Sequence, residues 1–536
     1  MRILIIGIDG GTWKVLDRLE EEGVMPYLSS LNKSGAKSIL KSTELPITAP
    51  AWTTFMTGVS PARHGIFEFN NYNGKYGTYF VTNSHIKYKT IWELLSELGK
   101  RIISINVPMT YPPFPVRGQL VTGMLTPGTK VTFTYPPELT DEIREEFPEY
   151  RIMTTGAVYS RYGIKRFVSE LKKTIQTRVN LAKYLLHSPD WDIAMVHFQS
   201  SDIVQHFLYH CIEPEHPLFK PKCRQLALEV YKELDRAIEQ LHQWVEKTGK
   251  VFLIIMSDHG FKPVTKLVDT NGLLLKHGFL VMKRSSKRVL HEALRIAKKF
   301  DFLKINKILI KKEKRRALRE AIFREIGIDF SSTRAFSLNG WVYGNIYINL
   351  KGREPQGIVE LRDYDDIIDE IKTIFENEVD PETEEKPFKA VKKSEAFGKT
   401  DHVEAPDLII MTDRYYEFSF FPFSNPKKYF KHNKPKTSHT GNHDENGILL
   451  MSGEGIKQGI FDDANIIDLL PTILWYMELP IPNYVEGKVL KHFFRQDFSQ
   501  RKSEKRKDIS PQRIIDIKFH EDEDELKKTL KGLGYL

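Results

Sequence analysis

Short apolar runs recur along the chain, each closed by a glycine, a proline or a polar residue. ILIIGID opens the sequence and stops at Gly10 and Gly11. RIISINVP (101–108), DIAMVHFQ (192–199), VFLIIMSD (251–258) and GILLMSG (447–453) repeat the pattern. Each run is too short for a helix and too uniformly apolar for a half-exposed strand, so all are read as interior strands of a largely parallel sheet. Helical periodicity fills the intervals at 164–187 and 227–247; in the second, Leu228, Tyr231, Leu234, Ala237, Ile238 and Leu241 share one face. Strands alternating with helices predict an α/β fold with a mostly parallel central sheet and helices on both faces. Ligands bind at the carboxyl ends of strands in that architecture, which singles out Asp9, Asp202 and Asp258.

The rhythm breaks between 262 and 395, where a basic helical stretch, the alternating WVYGNIYINL (341–350) and a charged helix replace it. This region is read as an insertion or cap. It divides the core into a first part (1–261) and a second (396–496), and a charged extension (497–536) follows. At 536 residues the chain exceeds one minimal core, and 41% apolar with 28% charged residues is ordinary globular composition. The net charge of +9 is concentrated: residues 283–324 hold sixteen Lys or Arg against four acids. Within that segment Leu290, Ala293, Leu294, Ala297 and Phe300 line one helical face. Packing on the core with a solvated basic side is the plainer reading, and attraction to an anionic membrane surface the alternative. No aromatic-interleaved motif accompanies the charge, so nucleic acid is not an expected partner. The two cysteines, Cys211 and Cys223, form neither a CxxC nor a zinc-finger spacing, so no disulfide framework is expected. The N-terminal apolar run lacks the length of a secretory signal and no run reaches membrane-span length, which makes cytoplasmic the default localisation. The pattern does not address oligomeric state.

Five scattered segments each place a metal-ligand type or a hydroxyl beside a strand end. They are Asp9 in GIDGG, Thr48 in ITAPAWTTFMTG, Asp202 and His206 in SSDIVQHF, Asp258 and His259 in LIIMSDHGF, and His439 with His443 in SHTGNHDENG. Singly, most have an ordinary explanation: Asp9 as a turn residue, Thr48 as the N-cap of a helix carrying Pro50 in its first turn, Asp202/His206 as a surface pair at i,i+4. Asp258 and His259 differ, because burying such a pair after an intensely apolar run is costly unless a cation compensates. Together they supply three aspartates, three or four histidines and one hydroxyl. Such oxygen and imidazole donors suit zinc first, with manganese and iron as alternatives, and suffice for two adjacent ions that clamp a phosphoryl group.

These segments, in this order, resemble the type I phosphodiesterase/nucleotide pyrophosphatase family of the alkaline phosphatase superfamily, and look closest to its prokaryotic branch. GNIYINLKGREPQGIV (344–359) and IIDLLPTILWYMELPIPNYVEGKVL (466–490) extend the similarity over about residues 1–492. The resemblance implies an alkaline-phosphatase-like fold and a phosphoric ester hydrolase acting on a small-molecule phosphoester. It implies Asp9, Thr48, Asp258 and His259 around one ion and Asp202, His206 and His443 around the other. Thr48 is then the nucleophile, forming a phosphothreonine that water hydrolyses, and His439 lies outside the ligand set. One position departs: where nucleotide pyrophosphatases carry an asparagine that donates to phosphate, this chain has Phe69, with Asn70 one place on. The competing readings are a phosphotransferase or mutase of the same superfamily and a surface-binding protein with a vestigial site.

Overall fold

The computed structural model describes residues 2–283, 327–420, 429–433, 439–501 and 505–513. The basic segment at 283–324, Lys283 apart, and the end of the C-terminal extension lie outside the described residues. Ten strands form one large sheet: β1 (Arg2–Ile8), β2 (Ala36–Lys41), β3 (Ile102–Val107), β4 (Gly118–Thr122), β5 (Thr134–Tyr135), β6 (Ile193–Phe198), β7 (Val251–Met256), β8 (Asn446–Ser452), β9 (Gly459–Ile460) and β10 (Ala464–Asn465). Their order is β9-β2-β8-β7-β1-β6-β3-β4-β5, with β10 also beside β2. The five strands β7-β1-β6-β3-β4 run parallel, as expected. Their apolar runs are continuous because both faces are covered: every residue of β3, β6 and β7 is buried. One strand departs from the expectation. β8 pairs antiparallel with both β7 and β2, so GILLMSG is interior yet reversed.

Four helices matter for the site: α1 (Thr48–Thr57), α2 (Ile164–Leu185), α3 (Ser200–Ile212) and α4 (Pro221–Glu246). The apolar stripe of α4 is buried at the expected positions, including Leu228, Leu234, Ile238 and Leu241. Among the described residues no helix is long and apolar enough to cross a membrane. Cys211, in the last turn of α3, is joined by a disulfide to Cys223 in the first turn of α4, with Cα atoms 5.4 Å apart. This corrects the expectation that no disulfide framework is present. The intervening loop folds back, Lys220 N donating to His210 O at 2.8 Å, and sets the two helix ends side by side.

A second apolar cluster, which includes Val268, Leu273, Ile346, Ile371, Leu408 and Phe418, sits apart from the main core. It surrounds a four-stranded sheet of Ala335–Phe336, Gly344–Ile348, Leu408–Met411 and Lys389–Lys392. The residues grouped as an insertion therefore share their interior with residues as far as Phe418.

Glu68 belongs to the junction of these two parts, with Asn345 Nδ2 3.4 Å from its Oε1. Its Oε2 is buried without a hydrogen-bond partner, and burial pushes the carboxyl up to about 8. Below roughly pH 4 both the folded and unfolded chains hold this proton; as pH rises toward the folded value only the folded chain does, so stability falls over that window. Glu68→Gln should therefore match the parent in thermal melting near pH 4 and melt higher at about pH 9.

Candidate metal centre

Three parallel strands deliver the acids. Asp9 follows β1 directly, Asp258 lies just beyond β7, and Asp202 occupies the first turn of α3, which starts after β6. All three are fully buried. The Asp9 turn is possible because Gly10 adopts φ 65°, and a side chain there would meet the ring of Phe261 at 2.6 Å. Gly10 N donates to Asp258 Oδ1 at 3.2 Å, while Ser201 Oγ donates to Asp9 O and Gln205 Nε2 to Gly10 O. Helix α3 is thereby tied to the β1 turn.

His443 arrives from much later in the chain through an antiparallel pairing of Gly260–Pro263 with Gly441–Asp444, which sets Phe261 opposite His443. The rings of His259 and His443 stack with centroids 3.5 Å apart. Thr48 is buried with its Oγ1 3.3 Å from His259 Nε2. It is the first residue of α1 rather than its cap, since Ile47 holds the extended N-cap conformation; the expected cap lies one position earlier.

The three ligand-type histidines share one feature. His206 Nδ1 lies 3.1 Å from Gly441 O, His259 Nδ1 3.0 Å from Gly260 O, and His443 Nδ1 2.9 Å from Pro46 O. A carbonyl oxygen only accepts, so each Nδ1 carries the hydrogen and each ring turns its Nε2 inward. Those Nε2 atoms meet carboxylates and one another: His206 Nε2 is 3.1 Å from Asp202 Oδ1 and 3.1 Å from His443 Nε2. His443 Nε2 lies 3.4 Å from Asp202 Oδ1, and His259 Nε2 3.3 Å from Asp258 Oδ2. Asp9 Oδ1 and Asp258 Oδ2 are buried with no hydrogen-bond donor.

Electrostatics point the same way. Burial raises Asp9 well above the usual carboxylate range, with Asp258 and Asp202 adding to the rise. Asp258 is also raised, again mainly by burial. Burial works against the charge of Asp202 as well, but His206 and His443 outweigh it and hold that carboxyl low. Burial, with His259 next in effect, keeps His443 well below its ordinary value and hence neutral. Donor oxygens and inward imidazole lone pairs in a dry interior are mutually repulsive until positive charge joins them, so this set fits divalent cations. Two overlapping groups have ligand atoms within 4.8 Å of one another: Asp202, His206 and His443, and Asp9, Asp202 and His259.

Every residue singled out as a ligand thus gathers here with Thr48. His439 does not join them; its Nδ1 is 3.2 Å from Glu417 Oε1 and its ring lies behind His206, centroids 4.8 Å apart. Phe69 is buried in the apolar core, and Asn70 O accepts from Asn339 Nδ2 at 2.8 Å. The next residue, Asn71, is used within its own loop, accepting from Phe67 N and Glu68 N. Sequence reasoning missed His197 and Trp52. His197 Nε2 donates to Asp9 Oδ2 at 2.8 Å and Trp52 Nε1 to the same oxygen at 3.3 Å, leaving Oδ1 to face His259. The available signal was a histidine inside the otherwise apolar IAMVHF strand.

A buried cluster of carboxylates and imidazoles beside a threonine hydroxyl, at the carboxyl edge of a parallel sheet, marks an α/β protein with residues that could hold divalent metal ions. The sequence profile described as Type I phosphodiesterase / nucleotide pyrophosphatase matches residues 3–436, and the chain belongs to that family, whose members are phosphoric ester hydrolases. Murine ectonucleotide pyrophosphatase / phosphodiesterase 5 has a similar structure, with a TM-score of 0.53 at 13% identity, covering 92% of this chain and 100% of that one. An inactive variant of the murine protein in complex with AMP gives a TM-score of 0.50 at 13% identity, over 88% of this chain and 94% of that one. These likenesses establish the alkaline-phosphatase-like fold. No curated protein matches the chain.

Removing a group that orients a ligand commonly costs about 10–100-fold in metal affinity. His197→Ala should lower zinc affinity by that order, measured by competition with a chromophoric chelator, while circular dichroism stays that of the parent.

Proposed function

We propose that this chain cleaves small-molecule phosphoesters of the phosphodiester or pyrophosphate type, with Thr48 as nucleophile, at a centre holding two divalent cations, zinc first among them. The observation that carries the proposal is the convergence of His206 and His443 on Asp202, their Nε2 atoms 3.1 Å apart and 3.1 and 3.4 Å from its Oδ1. Asp9, Thr48, Asp258 and His259 would hold one ion; Asp202, His206 and His443 would hold the other. When bound, the ions supply the charge that lowers the pKa of the threonine hydroxyl and offsets charge developing on the phosphoryl oxygens.

Thr48 Oγ1 attacks phosphorus in line, the bond to the leaving group breaks, and a phosphothreonine forms. Water then attacks the same phosphorus, releasing inorganic or monoester phosphate and restoring the hydroxyl. Burial of Thr48 and of the whole ligand set excludes bulk water from the ground-state hydroxyl. Trp52 and His197 hold Asp9 so that one oxygen stays turned toward the ions. The AMP complex of the murine relative supports a nucleotide as one substrate to test. Phe69 is buried in the apolar core and Asn71 spends its side chain within its own loop, so neither supplies the asparagine donor that nucleotide pyrophosphatases aim at phosphate, and a nucleotide has to be tested beside other diesters.

Thr48→Ala should abolish turnover of a chromogenic diester in the zinc-loaded enzyme while metal content stays near that of the parent. Unchanged turnover would remove Thr48 from the reaction. Asp202→Asn, by contrast, should lower both metal content and turnover.

A further inference from the structure

Behind the metal centre, at the far end of α3, lies a second set of potential ligands. His210 and Cys211 close that helix and Cys223 opens α4, and one donor atom from each falls within 4.8 Å of the others. His210 Nδ1 is engaged by Thr440 Oγ1 at 3.1 Å, which turns Nε2 toward Cys211 Sγ at 3.6 Å. Tetrahedral zinc with a nitrogen arm of about 2.0 Å and a sulfur arm of about 2.3 Å requires those two donors roughly 3.5 Å apart. The imidazole and the first sulfur already stand at that separation. Only the second sulfur must withdraw, from disulfide contact to about 3.8 Å, the spacing of two thiolates on one zinc. Cys223 is the partly exposed member of the pair, in the first turn of its helix with Sγ 3.1 Å from Lys220 O, whereas Cys211 is buried.

We propose that, with the bridge reduced, His210, Cys211 and Cys223 form a thiolate zinc site that alternates with the disulfide. The exchange balances. A dithiol or phosphine reductant supplies two electrons to the Cys211–Cys223 bond and is itself oxidised. The two thiols then release two protons as thiolates on binding one Zn²⁺; a small-molecule disulfide oxidant takes the two electrons, with two protons from solvent, to become two thiols as the bridge re-forms and the ion is expelled. Burial, with Lys220 next in effect, brings His210 down to about 4, so the ring is neutral near neutral pH and binds without losing a proton. Three protein ligands leave the fourth position to water.

The site is joined to the catalytic loop. Thr440, which holds His210 through its side chain, donates its own N–H to His206 O at 2.7 Å, and its carbonyl oxygen accepts from His216 Nε2 at 2.8 Å. The same loop continues to His443. Opening or loading the cysteine site therefore acts on backbone that positions two ligands of the hydrolytic centre.

Cobalt substitution tests this independently of the proposed hydrolysis. The hydrolytic centre offers only oxygen and nitrogen donors, and the chain has two cysteines, so a sulfur-to-cobalt charge-transfer band can arise only from this pair. Full-length protein reduced with a phosphine and titrated with Co²⁺ should develop that band, lose it on addition of one equivalent of Zn²⁺ beyond those filling the hydrolytic centre, and lose it on reoxidation. Cys223→Ser should abolish the band, and His210→Ala should weaken cobalt binding at the site about tenfold or more. Three results would each overturn the proposal: a bridge that resists phosphine in the folded chain, reduced protein that binds cobalt without the band, or a band indifferent to His210→Ala.

Discussion

The structure turns on the repulsion among inward-facing donors at the carboxyl edge of β1, β6 and β7. Three imidazoles have their Nδ1 hydrogens spent on backbone carbonyls, and their Nε2 atoms meet carboxylate oxygens and each other across 3.1–3.4 Å. In water such a cluster would disperse; in a dry interior it requires positive charge. The surrounding scaffold opposes that repulsion with apolar strands buried on both faces, a glycine turn after β1 and the antiparallel clasp of Gly260–Pro263 on Gly441–Asp444.

That clasp explains how ligands separated by hundreds of residues meet. Parallel strands end on the same side of a sheet, so β1, β6 and β7 deliver Asp9, Asp202 and Asp258 to one edge without special loops. His443 cannot come that way, because β8 runs in the opposite sense and leaves from the edge at which the others arrive. The residues just before β8 therefore start at the ligand edge, and a short pairing with the strand after His259 fixes the imidazole there. The reversal of β8 is thus part of how the site closes.

Much of this was legible in the residues. Uniform apolar runs announced the interior strands, the stripe of Leu228, Leu234, Ile238 and Leu241 announced α4, and acids at strand ends announced the residues that gather at that edge. What escaped depended on partners that periodicity does not encode. The sense of β8 is set by which strand it meets. The Cys211–Cys223 contact is set by a loop that folds back between two helix ends. His197 reads as one more strand residue until the chain brings Asp9 to within 2.8 Å of it. The placement of Thr48 inside rather than before its helix is a difference of one residue, within the ordinary spread of helix boundaries.

The most direct measurement is anomalous X-ray diffraction at the zinc edge from crystals of the oxidised, zinc-loaded chain. Two neighbouring peaks are predicted, one among Asp9, Thr48, Asp258 and His259 and the other among Asp202, His206 and His443. Ordered, correctly folded protein with no anomalous density between these side chains, or with a metal bound only elsewhere, would contradict the account.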